Sequence, residues 1–270
     1  RTLQGLEYLV GYPHGCPEQT MSPALATLRV KQYYESRGKL TDAMNASFKS
    51  NMQRAYDQMK APTGYNAQKI WGTYTEDHQY YGAWAWGQMS SPSLFYTLYP
   101  NYVFSELKHD MQESDFDWGV YLNNTTEINL TASTLWLIDQ QRADGGWQDW
   151  GYISNRYEWT GFMSEKFCGE FEFIETDYAK EQVNASLNKS FEFLESGSYN
   201  SQPAKAVAYG IFGLDAIKEH YKENATLGTR ADTKMQALLD RLFTLRQGDA
   251  ATGYYWSDGW YDDSETTALA

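Results

Sequence analysis

Between Ala204 and Ile217 the chain reads Ala-Lys-Ala-Val-Ala-Tyr-Gly-Ile-Phe-Gly-Leu-Asp-Ala-Ile, apolar with little interruption. The run is too short to cross a bilayer and too long for an ordinary strand. A helix that is apolar all round is buried all round, so other elements must pack on every side of it. Candidates for that packing also step by three and four: Met21, Leu25 and Leu28; Ile128, Ala132 and Leu135; Val183, Leu187, Phe191 and Leu194; Met235, Leu238, Leu239, Leu242 and Leu245. Alternation of period two is absent over any useful length, which makes the chain mainly α.

The breaks between these helices resemble one another. Gln58 to Gly72 contains Pro62, Thr63-Gly64-Tyr65 and Trp71-Gly72. Gln141 to Trp150 reads Gln-Arg-Ala-Asp-Gly-Gly-Trp-Gln-Asp-Trp. Gln247 to Trp260 contains Gly253-Tyr254-Tyr255-Trp256 and Asp258-Gly259-Trp260. Each places a Gln near a helix end, then Gly with aromatics, then another helix, a weak internal repeat. Glycine turns the chain and the aromatic plugs the end of a helix pair. Repeated pairs of this kind predict an all-α fold, an α/α toroid of alternating inner and outer helices, with Ala204 to Ile217 an inner one. No Pro- or Ser-rich tract divides the chain, so 1–270 is expected to be one domain. It begins with Arg1, with no signal peptide following, as expected of a piece excised from a longer chain.

Charge narrows the partners. With 22 basic and 35 acidic residues the net charge is −13, which excludes the basic footprint that nucleic acid or an anionic membrane surface needs. No run of about 18 uncharged apolar residues is present, so no membrane span or membrane contact by this segment is expected. Aromatics reach 16%. They fit a large core with loops packed by Tyr and Trp, or a sugar-binding cleft. Two cysteines, Cys16 and Cys168, make neither a disulfide framework nor a zinc set, and the four histidines lack metal spacing; no metal or cofactor is expected. Seven of the 12 asparagines, Asn45, Asn123, Asn124, Asn129, Asn184, Asn188 and Asn224, stand in N-x-S/T triplets, where chance predicts about two. The excess predicts a glycosylated, exported chain, with Asn224 and the Asn123–Asn129 cluster the most exposed.

The chemistry is concentrated in Tyr12-Pro13-His14-Gly15-Cys16-Pro17-Glu18-Gln19-Thr20. Here the chain resembles the alpha-2-macroglobulin and complement family, whose members carry Gly-Cys-Gly-Glu-Gln. Gly15, Cys16, Glu18 and Gln19 match, and Pro17 departs from the usual Gly, which bears on reactivity more than on identity. Leu3-Gln4-Gly5-Leu6 and Met21-Ser22-Pro23 are similar to the family on either side. Gln141 through Asn155 aligns without a gap to the segment that leads to the family's reactivity-setting residue. Glu265-Thr266-Thr267-Ala268-Leu269-Ala270 looks like the opening of a late helix, which here would be incomplete.

The resemblance covers nearly the whole chain and implies a thioester-containing domain on an α/α toroid. It implies an internal thioester from the Cys16 sulfur to the Gln19 side-chain carbonyl, in place of any cofactor. The protein would then be a single-use covalent trap, not an enzyme. It would act as a protease inhibitor or as a complement-like opsonin. Its covalent targets would be proteases or cell-surface proteins, its other partners further domains of the parent chain, and its setting extracellular or cell-surface, or periplasmic in a bacterium. Pro17, fixed in φ, suits a tight turn that holds Cys16 against Gln19. The bond must be kept dry, and Tyr12 is a candidate shield. At the position of Asn155 the family has His or Asn. The resemblance implies that Asn directs the thioester toward amines rather than hydroxyls.

Other roles compete with these. A cysteine such as Cys16 is usually a small buried hydrophobe, and Cys168, in Phe167-Cys168-Gly169, has only that structural role. His14 is a possible base or a solvated loop residue. A different class, an α/α-toroid enzyme acting on sugars, would draw its carboxylates from Asp144, Asp149 and Glu158. A toroid whose thioester has decayed would only bind.

Overall fold

The computed structural model describes residues 15–60, 77–87, 90–111, 128–149, 155–251 and 253–257. Among them are eight α-helices and a single two-stranded hairpin of three residues per strand, so the fold is all-α as expected. The chain forms two compact units, Arg1–Leu137 and Ile138–Ala270.

In the first unit, α1 (Pro17–Ser36) is followed by α2 (Asp42–Lys60), α3 (Leu94–Met111) and most of α4 (Leu130–Asp139), within which the unit ends at Leu137. Pro17 starts α1 at the one place in a helix where a missing N–H costs nothing. Met21, Ala24, Leu28 and Tyr34 of α1 meet Phe48, Met52, Tyr56 and Met59 of α2 and Val103, Phe104 and Leu107 of α3 in one apolar core. Trp84, Ile128 and Leu130 complete it. Met21 and Leu28 lie in this core as their spacing predicts, with Leu25 packed at its margin. The polar contacts between α1 and α3 step along both helices in the same order. Ser22 meets Tyr99, Arg29 meets Tyr102 and Glu106, and Lys31 and Gln32 meet Asp110. The two helices therefore run parallel, and their first turns lie side by side.

In the second unit, α5 (Arg156–Glu170), α6 (Asp177–Ser196), α7 (Ala204–His220) and α8 (Ala225–Leu245) precede β1 (Gln247–Asp249) and β2 (Gly253–Tyr255). The apolar helix α7 is central to this unit, packed against α5, α6 and α8. Its approach to α5 is so close that a Cβ on Gly161 would stand 2.1 Å from the Tyr209 carbonyl oxygen. Burial of α7 is not complete, because Phe212, Asp215 and Glu219 form an exposed line one turn apart. Val183, Leu187, Phe191 and Leu194 of α6 are all buried as expected. On α8 the buried line is Leu227, Ala231, Lys234, Leu238 and Leu242. Leu238 and Leu242 are buried as their spacing predicts, while Leu239 falls off that line and is exposed, a correction at that position to the stripe Met235, Leu238, Leu239, Leu242 and Leu245.

The aromatic plugs are realised unevenly. Trp147 is wholly buried, edge-on to Phe167, with its backbone N–H bonded to the Thr160 hydroxyl. Gln141 clamps the same loop from its side-chain amide to the Gly145 and Ser186 carbonyls and the Ser190 hydroxyl. At the Gln247 segment, Trp256 caps α8 by donating to the Leu242 carbonyl. Tyr254 and Tyr255 instead lie exposed on the hairpin. The segment after Gln58 and the last residues of the chain, where an incomplete helix is expected, lie outside the described residues.

Candidate functional site

Cys16 is the N-cap residue of α1, with extended backbone (φ −72°, ψ 172°). Helix starts leave N–H groups without intrahelical partners, and a capping box satisfies two of them reciprocally. Here the box is built from Cys16 and Gln19. The Cys16 side chain faces the Gln19 N–H, and the Gln19 Oε1 accepts from the Cys16 N–H at 3.2 Å. The three-residue offset thus folds the Gln19 side chain back over the residue that carries the sulfur. Cys16 is 6% exposed while Gln19 is exposed, so the pair sits at a boundary between core and surface.

Gly15 makes this fold-back possible. Its φ of +93° favours glycine, and a Cβ there would stand 2.0 Å from the Gln19 Oε1. Pro23 acts on the same turn from further along. Having no N–H, it withholds the i→i−4 donor that would ordinarily close on the Gln19 carbonyl. Thr20, fully buried, brings its hydroxyl to 3.5 Å from the Gly15 carbonyl oxygen and 3.4 Å from the Gln58 Oε1 of α2.

An aromatic pair on α3 approaches α1 at Ser22. Tyr99 and Phe95 of α3 stack with ring centroids 5.7 Å apart and planes 7° apart. The Tyr99 hydroxyl lies 3.0 Å from the Ser22 hydroxyl. Burial first, and then the Glu18 carboxylate, raises the pKa of its phenol. Because α1 and α3 run parallel, Phe95, one turn before Tyr99, lies level with Glu18, one turn before Ser22. No local signal in the sequence points to these rings, which come from a helix some 80 residues away along the chain. Tyr12 and His14 lie outside the described residues.

Asn155 belongs to the second unit, where it is the N-cap of α5. Its Oδ1 accepts from the N–H groups of Tyr157 and Glu158, at 2.9 and 3.1 Å, and its Nδ2 donates to the Gln202 Oε1 at 2.7 Å. The sequence view of Asn155 as a reactivity-setting residue does not include this cap. Cys168, near the end of α5, has its thiol pushed up to about 12, first by burial and then by the Glu165 carboxylate, in keeping with its structural role.

Two of the three carboxylates that would serve a sugar-cleaving enzyme are paired with cations. Asp144 pairs with Arg156 at 2.5 Å, and the buried Glu158 faces the Lys205 ammonium at 3.6 Å. Trp84, Trp147 and Trp159 are core residues. A groove of about 360 Å³ between the end of α6 and α8 is lined by Glu195, Tyr199, Thr229, Arg230, Thr233 and Lys234, among others. Arg230 is held by Glu192 and Glu195, and Lys234 by the Glu195 and Gly197 carbonyls. No group of three or more His, Cys, Asp or Glu able to hold a metal occurs among the described residues.

A family model, the A-macroglobulin TED domain, matches residues 1–267. The chain belongs to this family. TED domains are the thioester-containing domains of macroglobulin and complement proteins. They bind their targets covalently, work within larger parent chains that are generally extracellular, and are not classical enzymes. No curated protein matches this TED domain. No helix among its described residues is long and apolar enough to cross a membrane.

Of the seven triplet asparagines in this TED domain, Asn188 and Asn224 are exposed. Asn129, expected among the most exposed, is instead half-buried, because its Oδ1 caps α4 through the Ala132 N–H. The Asn184 Oδ1 lies against His220 and Tyr221, and the Asn45 Oδ1 is buried. Asn123 and Asn124 lie outside the described residues.

Proposed function

We propose that Cys16 and Gln19 are joined by an internal thioester, and that the domain uses it to bind itself covalently to lysine amines of other proteins. The observation that carries this proposal is the reciprocal cap. A cysteine and a glutamine three residues apart face each other at the head of a helix, the glutamine amide already folded back onto the cysteine backbone. In forming the bond, the Cys16 sulfur adds to the Gln19 Cδ and ammonia departs with the thiol proton. In using it, an amine nitrogen adds to the same carbon. The C–S bond breaks, the electron pair stays on sulfur, and the proton shed by nitrogen is taken up by the thiolate or by solvent. The domain then carries a new amide at Gln19 and a free thiol at Cys16, and the event happens once. A hydrolysable bond needs water kept from it, and burial of Cys16 supports this on the sulfur side of the pair.

The targets we infer are proteases or proteins of a cell surface, presented when the parent chain changes shape, and the setting extracellular. Asn155 directs the preference. An amide nitrogen has no basic lone pair, so Asn155 cannot form the acyl intermediate that an imidazole would pass to hydroxyls. Intact mass tests the bond. The native parent protein should be lighter by one ammonia than its sequence and should gain methylamine on treatment. A chain of full mass that takes up no methylamine is a binding domain without a thioester. Competition between labelled glycerol and a primary amine on the activated protein tests the preference. Glycerol winning at equal concentration would overturn it.

A further inference from the structure

The peptide plane between Gly15 and Cys16 is gripped from both sides. On its N–H side the Gln19 Oε1 accepts at 3.2 Å, and on its carbonyl side the Thr20 hydroxyl lies at 3.5 Å. That hydroxyl also faces the Gln58 side-chain amide at 3.4 Å. A hydroxyl has one proton and cannot donate to two oxygens at once, but it can accept as well as donate. Turning the Gln58 amide over about its last torsion presents Nε2–H to Thr20. The three groups then form one directed chain, from Gln58 Nε2–H to Thr20 Oγ1 and from Thr20 Oγ1–H to the Gly15 oxygen. Thr20 is fully buried, so no bulk water can replace a lost partner, and a buried polar group pays for its partner's loss in full.

We propose that Gln58 is a positioning residue for the thioester-forming turn. Through the Thr20 hydroxyl it fixes the Gly15–Cys16 peptide plane in the orientation that brings the Cys16 sulfur to the Gln19 amide carbon. Gln58 stands 38 residues beyond Thr20, on a different helix, so α2 takes part in setting the geometry of a motif that lies wholly at the head of α1. The role rests on the thioester proposed above. The reaction it assists is closure: one S–C bond forms, one C–N bond breaks, and ammonia leaves with the thiol proton.

The test measures ammonia loss by intact mass during folding of the parent protein. Gln58→Leu and Thr20→Val should each slow closure about five- to tenfold. The double variant should be no slower than either single one, because both cut the same chain. Thr20→Ser, which keeps the hydroxyl, should close normally. A Gln58→Glu carboxylate cannot donate. Closure in that variant, taken relative to wild type at the same pH, should be low at neutral pH and recover as acidification protonates the side chain. A purely structural role for residue 58 would make closure follow the unfolding temperature of Gln58→Glu across the same pH range, whereas positioning changes closure at constant unfolding temperature, and this comparison decides the matter if Gln58→Leu does not fold. Wild-type closure in Gln58→Leu, additive effects in the double variant, or a flat pH ratio in Gln58→Glu would overturn the proposal while leaving the thioester intact. A wild-type chain that keeps its ammonia would overturn the thioester itself, and this role with it.

Discussion

The Gln19 side-chain oxygen occupies the space that a side chain on Gly15 would need, 2.0 Å from where its Cβ would stand. Gly15→Ala therefore has two effects. The positive φ of residue 15 becomes strained, at about 1–2 kcal/mol. The flexible end of Gln19 also swings away, because it is the easiest group to move. The expected outcome is a folded protein with a lowered unfolding temperature and no ammonia loss in its mass spectrum. Thioester closure at the wild-type level in Gly15→Ala would show that the fold-back is not needed for the chemistry.

The two cysteines should separate cleanly in a thiol titration. In the native parent protein Cys16 is expected to be unreactive until methylamine or proteolytic activation releases it, while in Gln19→Ala it should titrate from the start. Cys168 should stay slow throughout near neutral pH, because burial holds its thiol protonated up to about pH 12. The direction of the stability effect follows. Between the ordinary cysteine value of 9.0 and about 12 the unfolded chain gives up this proton and the folded chain keeps it. Its contribution to stability is thus complete below pH 9 and declines as pH rises toward 12. Peptide mapping of alkylated protein checks the first part. A Cys168→Ala variant, whose alkaline loss of stability should be shallower, checks the second.

Much of this is legible in the sequence because it depends on spacing. The line Val183, Leu187, Phe191 and Leu194 reports a buried helix face, and a Cys and Gln three residues apart before a helix report a first turn. What escapes is non-local. Gln58 reaches Thr20 and Tyr99 reaches Ser22 only because α2 and α3 pack against α1, and no pattern near residue 16 encodes that. Leu239 misleads for the opposite reason. It fits the apolar period of α8, but the buried line runs through Leu238 and Leu242 and admits Lys234, whose ammonium finds two carbonyls at a helix end. At Asn155 the family resemblance speaks to chemistry, while the plainer signal in the sequence is that Asn is a preferred N-cap.

Glycines on the helices of the second unit make opposite predictions. A Cβ at Gly161 would meet the Tyr209 carbonyl oxygen at 2.1 Å, and main-chain atoms of a packed helix cannot step aside. Gly161→Ala should cost about 3 kcal/mol by forcing α5 from α7. Gly228, inside α8, has open space where a Cβ would stand, with nothing within 4 Å of it. Gly228→Ala should stabilise by about 0.5–1 kcal/mol through the unfolded chain's lost freedom. Denaturant midpoints measured side by side check both, and equal signs for the two substitutions would contradict the close approach of α5 and α7.

Glycan attachment, if the chain is exported as proposed, should follow side-chain access. Asn188 and Asn224 are exposed, Asn224 even while its Oδ1 caps α8, and should be occupied, whereas Asn184 is half-buried against His220 and the Tyr221 hydroxyl and should be bare in the folded protein. Glycopeptide mapping of the native protein reads this directly. Occupancy at Asn184 with bare Asn188 and Asn224 would show that access in the fold does not govern attachment.

Asn155 is the N-cap of α5 and is proposed to set what the thioester attacks, and one pair of variants can separate the two. As the N-cap of α5 it satisfies the Tyr157 and Glu158 N–H groups. Asn155→Asp keeps an oxygen for both, and Gln202 can turn its amide over to donate to the carboxylate, so stability should stay within about 0.5 kcal/mol of wild type. Asn155→His replaces that oxygen with an imidazole that caps poorly and should cost about 1 kcal/mol. Chemically the two variants divide along a different line. A carboxylate at this position has no acyl-transferring nitrogen, so Asn155→Asp should still favour amines over glycerol. The imidazole of Asn155→His should take the acyl group from the thioester and pass it to hydroxyls, which raises glycerol incorporation. Measuring unfolding temperature and the glycerol-to-amine ratio on the same preparations distinguishes the roles. If the ratio tracks stability across wild type, Asp and His, residue 155 acts only as a cap. A ratio that moves in His alone marks the side chain as the determinant of what the thioester attacks.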